Sequence, residues 1–391
     1  MLERYPIIDE KGKIVGGIRF LYDLLELMID DKLEYYIIDS NEAYFVNLEN
    51  LNALRNWLEP AVNIYSLLIK DLDEYIDLLV NDLKEKISGK KIILDFSGGK
   101  DSFVSLIILN MLREYLDFDL SLVYVHMPFL EPYSNIDFVK KVSKKYNVDL
   151  KTLEVDRKRL IFYLERNGLP RVGSRWCTYL KIMTLRNFRK KHRDVIEAKG
   201  DRILEGGKRY SKMLQYMGHK TFIQGRQLNV VYPLTILDVV KIVRENGMIH
   251  PNYCIGVTRV ACKYCPYKNL FEIRNMPMIP VEDEEYIETI AYREYRKYYS
   301  PFLSWIDFWK EHYWRYTPTY VKIIDKIKAK SRASNKIMPY TALKDFVISI
   351  WKNELLEQRY VTFEYLFSLL KPILYEIRLK SSKYSRWKVL G

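Results

Sequence analysis

The chain has 391 residues, 48% of them hydrophobic and 29% charged, with a formal net charge of +13. This balance excludes a disordered chain, and the length provides for two or three domains with sizeable cores. No apolar run of about 18 residues is present, and Met1-Leu2-Glu3-Arg4-Tyr5-Pro6 has no leader-like apolar region, so a cytoplasmic protein without a membrane partner is expected.

Residues 1–90 read as a small α+β unit. Leu33–Ile38, the turn Asp39-Ser40-Asn41-Glu42 and Ala43–Val46 form a β-hairpin pattern, and Leu72, Tyr75, Ile76, Leu79 and Leu83 recur at helical spacing. No residue in this unit suggests chemistry, so a packing or partner-recognition role is expected.

Residues 91–270 alternate strand and helix patterns. Strands are expected at 91–96, 120–125, 148–155 and 194–198, with helices near 101–115 and 135–146. Such alternation predicts a doubly wound, mostly parallel sheet, whose ligands bind beyond the carboxyl ends of the strands. At the first of those ends stands Ser97-Gly98-Gly99-Lys100-Asp101-Ser102. Two glycines let the backbone approach an anion, and the following helix start offers N–H donors. Lys100 adds a point charge, Ser97 and Ser102 add hydroxyls, and Asp101 suits a helix cap or a metal. Phosphate handling is the chemistry implied. A second glycine-bearing loop, from Gly200 through Arg202 and Glu205 to Lys208 and Arg209, follows the fourth strand.

Between these loops, Arg171, Arg175, Cys177 and Lys181 fall within eleven residues. The arginines suit bidentate anion contacts, and flanking cations would lower the Cys177 thiol pKa. Cys262-Lys-Tyr-Cys265-Pro266 is a Cys-x-x-Cys. With Cys177 and Cys254 it makes four cysteines in all, a set read here as iron–sulfur ligands, zinc ligands or a redox dithiol rather than structural disulfides. Residues 271–391 read as a helical extension with Trp305, Trp309, Trp314, Trp351 and Trp387, punctuated by Pro318, Pro339 and Pro372. Charge is concentrated in two blocks: residues 171–229 carry 15 Lys/Arg against 4 Asp/Glu, and residues 291–391 carry 20 against 9. Such blocks favour polyanionic partners, a nucleic acid among them.

The Ser-Gly-Gly-x-Asp-Ser hexapeptide resembles the PP-loop of the ATP pyrophosphatase (adenine nucleotide α-hydrolase) superfamily. In order after it come the Arg-x-Cys-x-x-x-Lys segment, the Gly200 loop, Tyr232-Pro233-Leu234-Thr235 leading into Asp238-Val239, and Gly256-Val-Thr-Arg259-Val-Ala-Cys262-Lys-Tyr-Cys265-Pro266. This order resembles the phosphoadenosine phosphosulfate (PAPS) reductase family over roughly residues 91–270. The resemblance implies a Rossmann-like nucleotide domain using ATP with Mg²⁺. Ser97–Ser102, Gly200, Arg202 and Arg209 would hold the nucleotide, with Lys100, Asp101, Arg202 and Cys177 catalytic. Arg171, Arg175, Lys181 and Arg259 would bind substrate, and Cys177, Cys254, Cys262 and Cys265 a [4Fe–4S] cluster or zinc. The chain departs from the family's reductases in its intact loop, in Gly206 where a serine is usual, and in having no cysteine after Cys265. These departures lean towards an enzyme that cleaves ATP to AMP and pyrophosphate and supports sulfur transfer, with tRNA or DNA, a sulfur-donor protein and a second copy of the chain as expected partners. The alternatives are an iron–sulfur APS or PAPS reductase, and a non-catalytic nucleic-acid-binding subunit.

Overall fold

The computed structural model describes residues 3–39, 41–62, 71–192, 194–206, 209, 216, 221–356, 360–362, 365–366 and 368–370. Ser40, Lys208, Pro372 and Trp387 lie outside the described residues.

The chain opens with an antiparallel meander: β1 (Tyr5–Ile8), β2 (Ile14–Leu21), β3 (Leu24–Ile29), β4 (Lys32–Ile38) and β5 (Glu42–Phe45). Asp30 and Asp31, both at positive φ, close the β3–β4 hairpin with the backbone twist that two-residue hairpin loops favour. The hairpin expected at 33–46 is β4–β5. After α1 (Leu48–Ala53) comes α2 (Leu72–Ile87), capped by Asp71, whose side chain accepts from the Glu74 N–H at 2.9 Å.

A βα alternation follows: β6 (Lys90–Asp95), α3 (Lys100–Leu112), β7 (Phe118–His126), α4 (Ser134–Lys145), β8 (Asp149–Glu154), α5 (Arg157–Asn167), α6 (Trp176–Arg189), β9 (Val195–Ala198), and the short pair β10 (Ile223–Gln224) and β11 (Gln227–Leu228). The strands order as β10-β11-β9-β6-β7-β8, all parallel except the β10–β11 pair. Ile92, Ile93 and Leu94 in the central β6 are all buried, as a strand covered on both faces requires. Helix α3 is apolar all round from Phe103 to Leu109 apart from Ser105, and is buried throughout that stretch. Then come α7 (Ile236–Glu245), α8 (Pro251–Cys254), α9 (Leu270–Asn275), α10 (Val281–Tyr298), α11 (Trp305–Lys310), α12 (Pro318–Ala333), β12 (Ile337–Pro339) and α13 (Tyr340–Lys352). No described helix is long and apolar enough to cross a membrane.

Packing ties together the segments that the sequence separates at residues 90 and 270. Tyr75, Ile76, Leu79, Leu83 and Ile87 of α2 join the core of the parallel sheet. In the C-terminal segment, β12 pairs with β5 (Ile337 opposite Tyr44) and so completes the first sheet. Three residues are too few to show a period of two, so a wholly helical extension was the natural reading there. The Asp23 carboxylate accepts from both Arg315 terminal nitrogens, at 2.9 and 2.6 Å, and from the Leu270 N–H at 2.8 Å, locking the β2–β3 turn to the C-terminal region.

Candidate active site

Strand β6 delivers Ser97–Gly99 to the carboxyl edge of the parallel sheet. Gly98 has φ +74°, a backbone region costly for residues with a Cβ. Gly99 is the N-cap of α3. The Ser97 and Ser102 hydroxyls lie 3.1 Å apart, and Ser102 Oγ donates to the Gly99 carbonyl at 2.9 Å, which fixes the loop's curvature. The Lys100 N–H donates to the Tyr253 hydroxyl at 2.9 Å. Gly200 packs flat on the start of α3: a Cβ there would meet Ser102 N and Cα at 2.7 Å and Asp101 O at 2.8 Å.

Behind the loop runs a buried chain of alternating charge. Lys100 Nζ sits 3.1 Å from Asp101 Oδ2, and Asp101 Oδ1 accepts from Arg202 Nε at 2.5 Å. Arg202 Nη1 pairs in turn with Glu3 and donates to the Leu234 carbonyl at 3.2 Å. Arg202 and Glu3 are both fully buried. Burial opposes charging Lys100, Asp101 and Arg202, but their partners outweigh it. Arg202 and Lys100 hold the Asp101 carboxyl well below the usual range, and Asp101 leads the groups holding Lys100 above its ordinary value. Lys100 is therefore a fixed cation at neutral pH.

In front of the loop lies a cleft of about 1160 Å³. Ser97, Gly99, Lys100, Asp101 and Ser102 form one wall; Gly200, Asp201, Glu205 and Arg209 form another; α6 contributes Thr178, Ile182, Leu185, Arg186 and Arg189, with Lys190 beyond its end. Arg189 pairs with Asp95 at 2.5 Å and Glu197 at 3.1 Å, whereas no acidic partner of Arg186, Lys190 or Arg259 is found among the described residues. The volume suits a nucleoside triphosphate, and the unpaired cations suit its phosphates.

A second cavity of about 270 Å³ holds Cys177, Cys262 and Cys265 together with Arg175, Lys181 and Glu131. Asp95, Ser97, Thr178, Leu185, Arg259 and Val260 line both spaces, so the thiol cavity and the loop cleft share a wall. Glu131 is the hub of the smaller cavity. It accepts from the Tyr124 hydroxyl at 2.8 Å, Asn135 Nδ2 at 3.1 Å, the Met127 N–H at 3.1 Å and Lys181 Nζ at 2.9 Å, and lies 3.9 Å from Cys262 Sγ.

Among the residues expected from sequence, Ser97, Gly99, Lys100, Asp101, Ser102, Gly200, Arg209 and Arg259 line the cleft, with Gly98 at the loop's bend. Arg202 instead stands behind the loop as a structural counter-charge. Arg171 points away to Glu294, at 2.8 Å. Arg175 lies over the Tyr267 ring, its guanidinium carbon 4.6 Å from the centroid, and Lys181 is taken by Glu131. The four-thiolate set does not form, because Cys254, at the end of α8, is exposed and lines a separate cavity with Met248 and Trp351. Among the described residues no three His, Cys, Asp or Glu side chains are gathered to hold a metal ion, so the zinc expectation finds no donor set. The lowered Cys177 pKa is corrected too: burial pushes this thiol up, outweighing Arg175 and Lys181. Burial pushes Cys262 up as well, although Lys181 opposes it. Trp314 is fully buried and belongs to the core.

Sequence reasoning missed Glu3, Tyr5, Tyr253, Arg186, Arg189 and Glu131. Only Glu131 carried a local signal, in the turn after β7; the others reach the site through distant pairing or a helix face.

Residues 91–268 match the model of the phosphoadenosine phosphosulfate reductase domain. The match spans less than half of the chain. An uncharacterized protein of Methanocaldococcus jannaschii is 34% identical over 176 residues, covering 44% of this chain and 40% of that one. A second from the same organism is 26% identical over 325 residues, covering 78% and 58%. The chain thus spans about half the length of these curated relatives. Among solved structures, the U34-tRNA thiolase NcsA from Methanococcus maripaludis with its [4Fe-4S] cluster aligns at a TM-score of 0.37 and 14% identity, covering 67% of this chain and 80% of that one.

Proposed function

We propose that this protein is an ATP-dependent adenylating enzyme that supports sulfur transfer to an anionic acceptor. The observation that carries the reading is the wall shared by the PP-loop cleft and the cavity of three thiols. ATP lies with its phosphates on Ser97–Ser102, accompanied by Mg²⁺, which binds chiefly to phosphate oxygens and needs few protein ligands. An acceptor oxygen attacks the α-phosphorus, the bond to the β-phosphate oxygen breaks, and pyrophosphate leaves. Lys100 at the loop and Arg259 on the wall favour the charge that develops on the phosphates, while Arg209 is already paired with Asp201 and Glu205. A sulfide-level sulfur, supplied by a donor and held in the cavity of Cys177, Cys262 and Cys265, then displaces AMP from the activated carbon. The acceptor, a nucleic acid first among the polyanions, approaches along Arg186 and Lys190 of the α6 face.

The three thiols line one cavity without being gathered as metal ligands; iron with acid-labile sulfide in anaerobically purified protein would show that they close on a cluster. The direct test incubates the protein with α-labelled ATP, Mg²⁺ and candidate RNA or DNA acceptors. Acceptor-stimulated AMP and pyrophosphate support the reading. ADP as the only product, or sulfite released from APS or PAPS without any need for ATP, refutes it.

A further inference from the structure

The first strand of the N-terminal sheet reaches behind the nucleotide loop, although it lies outside the span matched by the family domain. Glu3 is fully buried and far in sequence from everything it binds. One carboxylate oxygen pairs with Arg202, and the other accepts from the Ile236 N–H at 2.9 Å, at the start of α7. Arg202 spends its remaining contacts on Asp101 and the Leu234 carbonyl. Two residues on, the Tyr5 ring lies 5.8 Å from Lys100 Nζ, and the Tyr5 hydroxyl donates at 3.0 Å to the carbonyl of Thr258, the neighbour of Arg259.

The sequence Glu3, Arg202, Asp101, Lys100 is therefore one buried row of alternating charge, net neutral, with only its last two members reaching the cleft. Removing a single member of such a row leaves an uncompensated buried charge that its neighbours must move to satisfy. A loss at Glu3 is transmitted to Asp101 through Arg202, and Asp101 is what holds Lys100.

We infer that Glu3 is a positioning residue of the nucleotide site, setting the Lys100–Asp101 pair through Arg202, so that the N-terminal sheet is a working part of the phosphate site. This rests on the reading that Ser97–Ser102 binds nucleotide phosphates. Through Lys100 and Asp101, which line the cleft, the row acts on bound phosphate charge; none of its contacts would recognise a nucleoside.

The test is calorimetric titration of the full chain with MgATP, inorganic pyrophosphate and AMP. In Glu3→Gln, the affinities for MgATP and pyrophosphate fall by about tenfold while AMP stays within about twofold, as expected for loss of one member of a buried charge network. Glu3→Asp keeps the charge one methylene short, gives an intermediate loss, and serves as the measured variant if Glu3→Gln does not fold. Equal weakening of all three ligands would mean general loosening and would overturn the inference. So would unchanged pyrophosphate affinity in a folded variant. If the wild-type protein binds neither MgATP nor pyrophosphate, the reading of the loop itself is wrong and the inference goes with it.

Discussion

Gly200→Ala tests the docking of the two loops most directly. The added methyl would lie 2.7 Å from Ser102 N and Cα and 2.8 Å from Asp101 O. Carbon contacts are comfortable only from about 3.5 Å, so each of the three is too close by roughly 0.7–0.8 Å. All three atoms are backbone, hence no rotamer change relieves them. Overpacking of this kind costs about 1–3 kcal/mol. For a cooperative unit of 391 residues that lowers the melting midpoint by about 1–4 °C. The atoms displaced form the first turn of α3, which lines the cleft proposed for the phosphates. If half of the strain is felt only in the complex, MgATP binding weakens by about two- to tenfold, since 1.4 kcal/mol corresponds to one decade. Differential scanning calorimetry and MgATP titration read the two effects. Gly206→Ala is the internal control, because its added Cβ meets nothing within 4 Å and its φ of 161° is ordinary extended backbone. A Gly200→Ala protein that matches Gly206→Ala in both melting and MgATP affinity would refute the claim that the Gly200 loop is seated on the helix start.

Three further outcomes are expected. Tyr253→Phe removes the hydroxyl that accepts from the Lys100 N–H, so stability falls by about 1–2 kcal/mol and MgATP affinity by several fold, read by denaturant unfolding and titration. Cys254→Ser leaves sulfur transfer unchanged, whereas Cys177→Ser, Cys262→Ser and Cys265→Ser abolish it and leave AMP formation standing; an assay that follows both products separates the two steps. Burial, opposed by Arg171, raises the Glu294 carboxyl to about 7. The folded state therefore holds this proton more tightly than the unfolded chain. Its contribution is complete below the unfolded value of about 4.3 and is lost as pH rises towards 7, a decline of about 3 kcal/mol that Glu294→Gln abolishes in unfolding midpoints across that range.

The strands and helices around the loop were legible because each signal is local. An apolar run followed by two glycines and a helix pattern is set by neighbouring residues, and the structure places β6, the turn and α3 there. The position of the cleft followed from the same logic, since the carboxyl edge of a parallel sheet brings loops after successive strands together. Arg171 and Arg202 show where this stops. Both carry the charge an anion site wants, but partners more than 100 residues away, Glu294 and Glu3, claim them. Cys254 shows the same limit: eight residues before Cys262, it lines a different cavity.

By itself, then, the sequence determined the βα alternation and the Ser97–Ser102 turn onto a helix start, because chain geometry and residue type act there over a few residues. The tertiary structure decided which cations face the cleft, which cysteines meet, and that Glu3 and β12, from opposite ends of the chain, belong to the same assembly. Those choices depend on burial and on long-range pairing, where a buried charge takes whichever counter-charge the fold brings within reach.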